Sequence, residues 1–309
     1  MITKTPGPYD LCYCGSGKKY KFCHHPLDVA PANIKRELSQ KMYVERWSRN
    51  SDHFRGQGCY AWMAERLAPY SPKLILDVGC GDGTGLLTLK AACPSNPRII
   101  SCDDNSRCLQ MAHDKIKACG LDVKLIRRMK QFSAGENFHE MEVDAGKLDI
   151  PVDYADITLI EADIIWDSEF SDFLQSRPKF DAIIVWLIGT YDLKPECRNL
   201  KIPAAESKYR LTVQNRIYQL ANQLLRVGGV LQIVDRGEST KEDLLIQERI
   251  QSHQEQAKGT SLEVMDHQFK NYEEPAQGAG ISMVQVIGKS GRIPNLTQLA
   301  MTSIISIKR

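Results

Sequence analysis

The twelve residues from Leu74 to Gly85, LILDVGCGDGTG, decide the fold. Leu74, Ile75 and Leu76 form a short apolar run with the character of a parallel strand buried on both faces. Asp77 follows, and Gly79, Gly81 and Gly83 make a turn in which the backbone can approach a ligand closely. Leu86 to Ala92 reads as a helix whose N-terminus would face that ligand. A dinucleotide fingerprint needs a glycine at the sixth position, yet counting from Gly79 that position is Thr84, and from Gly81 it is Leu86. The nicotinamide fingerprint therefore fails.

Outward from the turn, strand and helix signals alternate. Arg98 to Cys102 reads as a strand ending at Asp103, with Asn105 or Ser106 placed to cap a helix that carries Leu109, Ala112 and Ile116 on one face and stops at Gly120. A carboxylate at such a strand end can accept both hydroxyls of a ribose, with Asp104 as the neighbouring alternative. A third strand, Ile157 to Ala162, leads into Asp163 and Ile164, and a fourth, Ala182 to Leu187, puts Trp186 to Tyr191 where open parallel sheets bind ligands. Val213, Ile217, Leu220 and Leu224 lie in helical register before Gly228, Gly229 and a strand from Val230 to Val234. Ser239 and Glu242 make a capping box for a helix ending near Gly259, and Ser303 to Ile307 supplies a last strand.

The acid followed by G-x-G-x-G resembles motif I of class I S-adenosylmethionine-dependent methyltransferases, and L-L-R-V-G-G-V-L resembles that family's approach to strand five. The resemblance covers about residues 60 to 309. It implies a Rossmann-like α/β fold: a seven-stranded sheet with helices on both faces. It further implies that the glycines face the methionine part of the cofactor, with Asp77 as the motif's cofactor-binding acid, that Asp103 holds the ribose, and that Asp163 accepts from the adenine amino group while Ile164 covers the ring. Trp186 completes the expected cofactor-binding set. W-L-I-G-T-Y after the fourth strand departs from the N-P-P-Y or D-P-P-Y of enzymes that methylate exocyclic amines, and no Pro-Cys pair supports a cysteine nucleophile. His53, Tyr191 and Asp192 are candidate bases without an assigned role.

Cys12, Cys14, Cys23 and His24 lie within a span too short for a hydrophobic core, so a tetrahedral zinc, worth about 10–16 kcal/mol in structural sites, would fold it. His25 is an alternative fourth ligand. The spacing resembles the SEC-C motif of the secretion ATPase SecA. By that resemblance the module docks to protein partners, SecB and the ribosome among them. Four protein ligands leave no open position, so the zinc is structural. Lys4, Lys18, Lys19 and Lys21 read as its solvated surface.

The chain has 309 residues, 42% of them hydrophobic, enough for one large domain and an appendage. Forty basic against 38 acidic side chains leave a formal charge of +2, which gives nucleic-acid binding no support. The absence of a signal peptide or a membrane-length apolar run predicts a cytoplasmic protein, in which the ten cysteines are thiols or metal ligands. The expected organisation is a zinc module over 1–30, a helical connector or lid over 31–70 and a methyltransferase domain over 71–309.

Pro26 and Pro31 read as a linker, and Asn33 as the cap of a helix running towards Trp47 with Ile34, Leu38 and Met42 on one face. A second helix, around Tyr60 to Leu67, should end before Pro72. The aromatic residues Tyr43, Trp47, Phe54, Tyr60 and Trp62 suit either core packing or a cover over a substrate pocket. The insertion over 121–154 suggests a hairpin or substrate lobe, with Lys124, Arg127, Arg128 and Lys130 as a solvated basic face. His139, Glu140 and Glu142 lack zinc-protease spacing and read as surface residues, whereas Cys93, Cys102, Cys108 and Cys119 read as buried thiols. Three functions stay open: methyl transfer to a protein, methyl transfer to a metabolite, or binding by a vestigial cofactor site.

Overall fold

Parallel pairing of β1 (Leu74–Val78) with β2 (Arg98–Asp103) on one side and β7 (Phe180–Trp186) on the other places the glycine turn at the middle of the sheet. The computed structural model describes residues 6–12, 17–133, 141–148, 155–189, 206–239, 243–276, 280–281, 285–287, 291–293 and 299–309. Beyond β2 lie β6 (Ile157–Glu161) and, at the edge, β3 (Val123–Ile126). Beyond β7 come β8 (Leu225–Glu238), β12 (Leu299–Lys308) and β9 (Leu262–Tyr272), with β12 antiparallel to both neighbours. The sheet thus has eight strands, one more than expected. Its signals at β3 and β9 are weak because most side chains of these edge strands are only partly buried or exposed.

Alternating residues of the central strands supply two cores. Ile75, Ile99, Ile184 and Val234 pack under α2 (Ala32–Gly56), α3 (Cys59–Leu67), α4 (Thr84–Ala92) and α5 (Ser106–Ala118). Leu76, Ile100, Val185 and Ile233 pack under α6 (Ser168–Gln175), α7 (Glu206–Leu224) and α8 (Asp243–Ala257). Val213, Ile217, Leu220 and Leu224 are all buried there, as their register predicts. No helix among the described residues is long and apolar enough to cross a membrane.

Several local expectations change. Asn105 caps α5, accepting from the N–H groups of Arg107 and Cys108. Pro31, not Asn33, is the N-cap of α2, which runs unbroken for 25 residues, and Ile34 is exposed while Leu38 and Met42 pack on Leu27. Pro26 lies in a short helix, α1 (His25–Asp28), rather than a linker. Cys93, Cys102 and Cys108 are buried, but Cys119 is exposed at the end of α5. Within the insertion, β4 (Met129–Ser133) and β5 (Met141–Ala145) form an antiparallel hairpin. Apart from the main sheet, β10 (Gln285–Ile287) pairs antiparallel with β11 (Gly291–Ile293). Glu242, His139 and Glu140 lie outside the described residues.

The basic stretch is corrected at one position. Lys124, Arg127 and Lys130 are exposed, but Arg128 is buried. Its guanidinium pairs with Asp167, itself the N-cap of α6, and its Nε donates to the Gly146 carbonyl at 2.9 Å. Glu161 accepts from the N–H groups of Arg128 and Met129 at 2.9 and 3.1 Å, tying the hairpin to the end of β6. Removing one partner of a buried pair leaves an uncompensated charge. Arg128→Met should therefore lower stability by about 3–5 kcal/mol in urea unfolding. A loss below about 1 kcal/mol, the value of a surface pair, would show that water reaches the site.

Candidate functional site

Chain order reverses direction across the sheet between β1 and β7, which opens a crevice at the carboxyl ends of the strands. A cleft lies there, lined by Gly79 and Gly81 after β1, Asp103 and Asn105 after β2, and Asp163 and Ile164 after β6. Trp186, Ile188 and Gly189 close its β7 side, with Tyr209 of α7 beside them. Six of the expected cofactor-contacting residues therefore meet around one cavity: Gly79, Gly81, Asp103, Asp163, Ile164 and Trp186.

Asp103 is held on both oxygens. Oδ2 accepts from the Gly81 N–H at 3.2 Å and Oδ1 from the Asn105 N–H at 2.8 Å, so one carboxylate fixes the glycine turn to the start of α5. Asp163 Oδ1 accepts from the Ile165 N–H at 2.9 Å. Trp186 donates its indole N–H to Gln232 Oε1 at 3.1 Å, and Gln232 in turn donates to the Met63 carbonyl and Ser303 Oγ. Gln232 is a polar residue inside an apolar strand run, a signal the sequence carries and that positions a wall of the cleft. Leu187 adopts a positive φ of 57°, a conformation costly for a branched side chain, next to the cavity.

Two expected residues lie elsewhere. Gly83 caps α4 and packs against Ala112 of α5, where a Cβ would meet the Ala112 backbone at 3.0 Å. Asp77 is buried beneath the cleft, accepting from Ser101 Oγ at 2.5 Å. Cys80, Cys102 and Cys108 cluster around the turn, and burial with nearby carboxylates pushes their thiols up, so they are neutral rather than nucleophilic. His53 donates through Nε2 to the Glu273 carbonyl at 2.9 Å and does not line the cleft. Tyr191 and Asp192 lie outside the described residues.

α2 covers the cleft. A Cβ on Gly81 would stand 2.7 Å from Trp47 Nε1, and one on Gly189 would run into the Tyr43 hydroxyl. Gln40 Nε2 and Arg36 Nη2 donate to the Asp104 carbonyl at 3.1 and 3.3 Å, anchoring the helix to the loop after β2. Trp47 and Phe54 are also buried core residues, so the aromatic stretch both packs and covers. The close backbone turn and the carboxylates fit a nucleoside with a polar tail, provided the Trp47 indole shifts off Gly81.

At the N-terminus, Leu11 bridges Lys19 and the Cys12 N–H donates to the Lys18 carbonyl at 2.8 Å, which folds Cys12 towards the start of α1. Cys12 Sγ and Cys23 Sγ lie 3.2 and 3.3 Å from the Nδ1 atom of buried His24. Thiolate and imidazole ligands at tetrahedral angles on one zinc would stand about 3.5 Å apart, so the three atoms fit that ion. His24, not His25, belongs to this group, and it is the only group of three such ligands among the described residues. The ring of His25 packs edge-on against Tyr20. Cys14, the expected fourth ligand, lies outside the described residues.

Residues 10–26 match the family model for the SEC-C motif. No curated protein sequence matches the chain. Among solved structures, the chain is similar to TrmN from Thermus thermophilus at 13% identity and a TM-score of 0.42, over 81% of this chain and 48% of that one. It thus spans about half of TrmN. The N-methyltransferase NodS from Bradyrhizobium japonicum WM9 matches at 13% identity and a TM-score of 0.40, over 81% of this chain and 94% of that one. Precorrin-6y C5,15-methyltransferase from Geobacter metallireducens GS-15 gives 13% and 0.39, with coverages of 82% and 88%. Likeness at this level carries nothing about activity.

Burial pushes the Asp77 carboxyl up to about 7 even though the Ser101 hydroxyl favours its ionised form. The folded state then holds a proton that the unfolded chain releases near pH 4, so stability falls as pH rises from about 4 to about 7. Asp77→Asn keeps the shape and removes the ionisation. Its advantage in Tm should be smallest below pH 4 and level off above pH 7, where three pKa units amount to on the order of 4 kcal/mol. A pH-independent difference would show that Asp77 is ionised at no cost.

Proposed function

We propose that this chain is an S-adenosylmethionine-dependent methyltransferase with an N-terminal structural zinc module that docks to a protein partner. The observation that carries the reading is the convergence of the glycine turn, Asp103, Asp163 and Trp186 on one cleft at the switch point of the sheet. Asp103 would accept the ribose hydroxyls, in a plane set by the Gly81 and Asn105 N–H groups. Asp163 would accept from the adenine amino group, and Ile164 would lie against the ring. Gly79 and Gly81 leave room for the methionine portion.

The cofactor supplies a methyl group on a sulfonium, a good leaving group. The protein's work is then largely positioning, worth about 7–11 kcal/mol in favourable intramolecular cases. Trp186 and Gly189 would bound the acceptor's approach while Tyr43 and Trp47 exclude water. No side chain is assigned as a base.

Tyr9, Leu11 and Phe22 are each about two-thirds exposed on the small zinc module, and Lys21 lies over the rings of Tyr9 and Phe22. Apolar groups concentrated on so small a module favour docking to a macromolecule, and hence a protein acceptor. The cover formed by α2 favours a second reading, a small-molecule acceptor held in a closed pocket.

Calorimetry tests the cofactor. S-adenosylmethionine and S-adenosylhomocysteine should bind the intact protein, with at least tenfold loss in Asp103→Ala and Gly81→Arg; absence of binding to the folded protein would refute the reading. For the zinc module, elemental analysis should return about one zinc per chain. Cys23→Ser should lower that content, and a metal content near zero in the parent protein would refute the assignment.

A further inference from the structure

A second cavity of about 250 Å³ also borders α7, and it shares no lining residue with the cleft. Tyr209 faces the cleft, whereas its neighbour Arg210 lines the second cavity. The walls pair Arg210 and Gln214 of α7 with Arg249 and His253 of α8, two i,i+4 pairs that each present one helix face. Asp235 of β8 and Thr302 of β12 form the floor.

The charges there are incompletely matched. Arg249 donates to Thr302 Oγ1 at 3.2 Å and to the Glu238 carbonyl at 2.6 Å, both neutral acceptors that hold the guanidinium in place without cancelling its charge. Among the described side chains, none forms an ion pair with Arg210. Asp235 is the only carboxylate in the lining, and it accepts from Gln214. His253 is bonded to Tyr218 through Nδ1 at 3.1 Å, and burial favours its neutral form, so it offers a hydrogen bond rather than a charge. Arg236 also lines the cavity and is ion-paired with Glu274, so among the described lining residues two further guanidinium groups stand against one carboxylate and leave the cavity net positive. Guanidinium forks match planar and tetrahedral oxyanions. The volume falls below the 300–1,000 Å³ of drug-sized sites, and Asp235 would repel a polyanion.

We propose that this cavity is a second ligand site, which binds a small organic mono- or dianion of the carboxylate or phosphate class between Arg210 and Arg249. The site is independent of the methyl-transfer reading.

Titrating the full chain with inorganic phosphate and with succinate, at ionic strength held constant by sodium chloride, tests it. At least one anion should bind with a stoichiometry near one. Which of the two binds more tightly distinguishes a phosphate from a carboxylate site. Arg210→Ala should weaken that binding at least tenfold and Arg210→Lys less, whereas Asp235→Asn should tighten it severalfold. Arg210→Ala carries the test because it breaks no ion pair among the described side chains, while Arg249→Ala also removes contacts that support the fold. Asp103→Ala should leave anion binding unchanged, which separates this result from failure of the cofactor site. Absence of stoichiometric binding by both anions, or equal binding by Arg210→Ala and the parent, would overturn the proposal.

Discussion

A parallel sheet covered by helices on both faces leaves only its strand ends for polar chemistry, and here one carboxylate organises those ends. Asp103 binds the N–H of Gly81 on one side and of Asn105 on the other, so the turn after β1 and the helix after β2 share an anchor. Asn105 then caps α5 and donates through Nδ2 to the Gln40 carbonyl, passing the constraint to α2. Loss of this acid would free three elements at once. The charge-assisted character of its contacts explains why a carboxylate serves better than an amide at that position.

The covering helix ties the ends of the molecule together. Leu27 of the N-terminal module packs against Leu38, Met42 and Tyr43, and the same helix carries Trp47 onto Gly81. Arg236 of β8 lies 5.6 Å from the ring centres of both Trp47 and Phe54, and Asn50 bonds the backbone of Ile281 through both its amide nitrogen and its oxygen. A side chain over the glycine turn is thus braced from the sheet and from the C-terminal part of the chain.

Strands buried on both faces were legible in the sequence because apolar residues dominate them, as in Ala182 to Val185. β9 was not, since its side chains are mostly half-exposed and its place is fixed by pairing with β12 from a distant part of the chain. Asp103 at the end of β2 and Asp163 after β6 were readable as strand-end acids, singled out by the family resemblance. That Asp77 turns beneath the cleft and Gly83 towards α5 was not, because period-two alternation assigns a face only once the neighbours are known. Arg128 looked like its basic neighbours until Asp167, far along the chain, supplied a buried partner. The aromatic residues of α2 satisfied both core and cover, a distinction that no local pattern encodes.

The continuity of α2 fixes a length as well as a composition. Each residue advances an α-helix by 1.5 Å and turns it by about 100°. A single insertion between Met42 and Trp47 would therefore swing the indole about a quarter-turn away from Gly81 while Leu38 and Met42 kept their places on Leu27. Substitutions along the outer face of this helix leave that phase intact. Insertions and deletions do not, so the spacing between the N-terminal module and the cleft behaves as a gear ratio: the number of residues, more than their identity, sets which side chain meets the glycine turn.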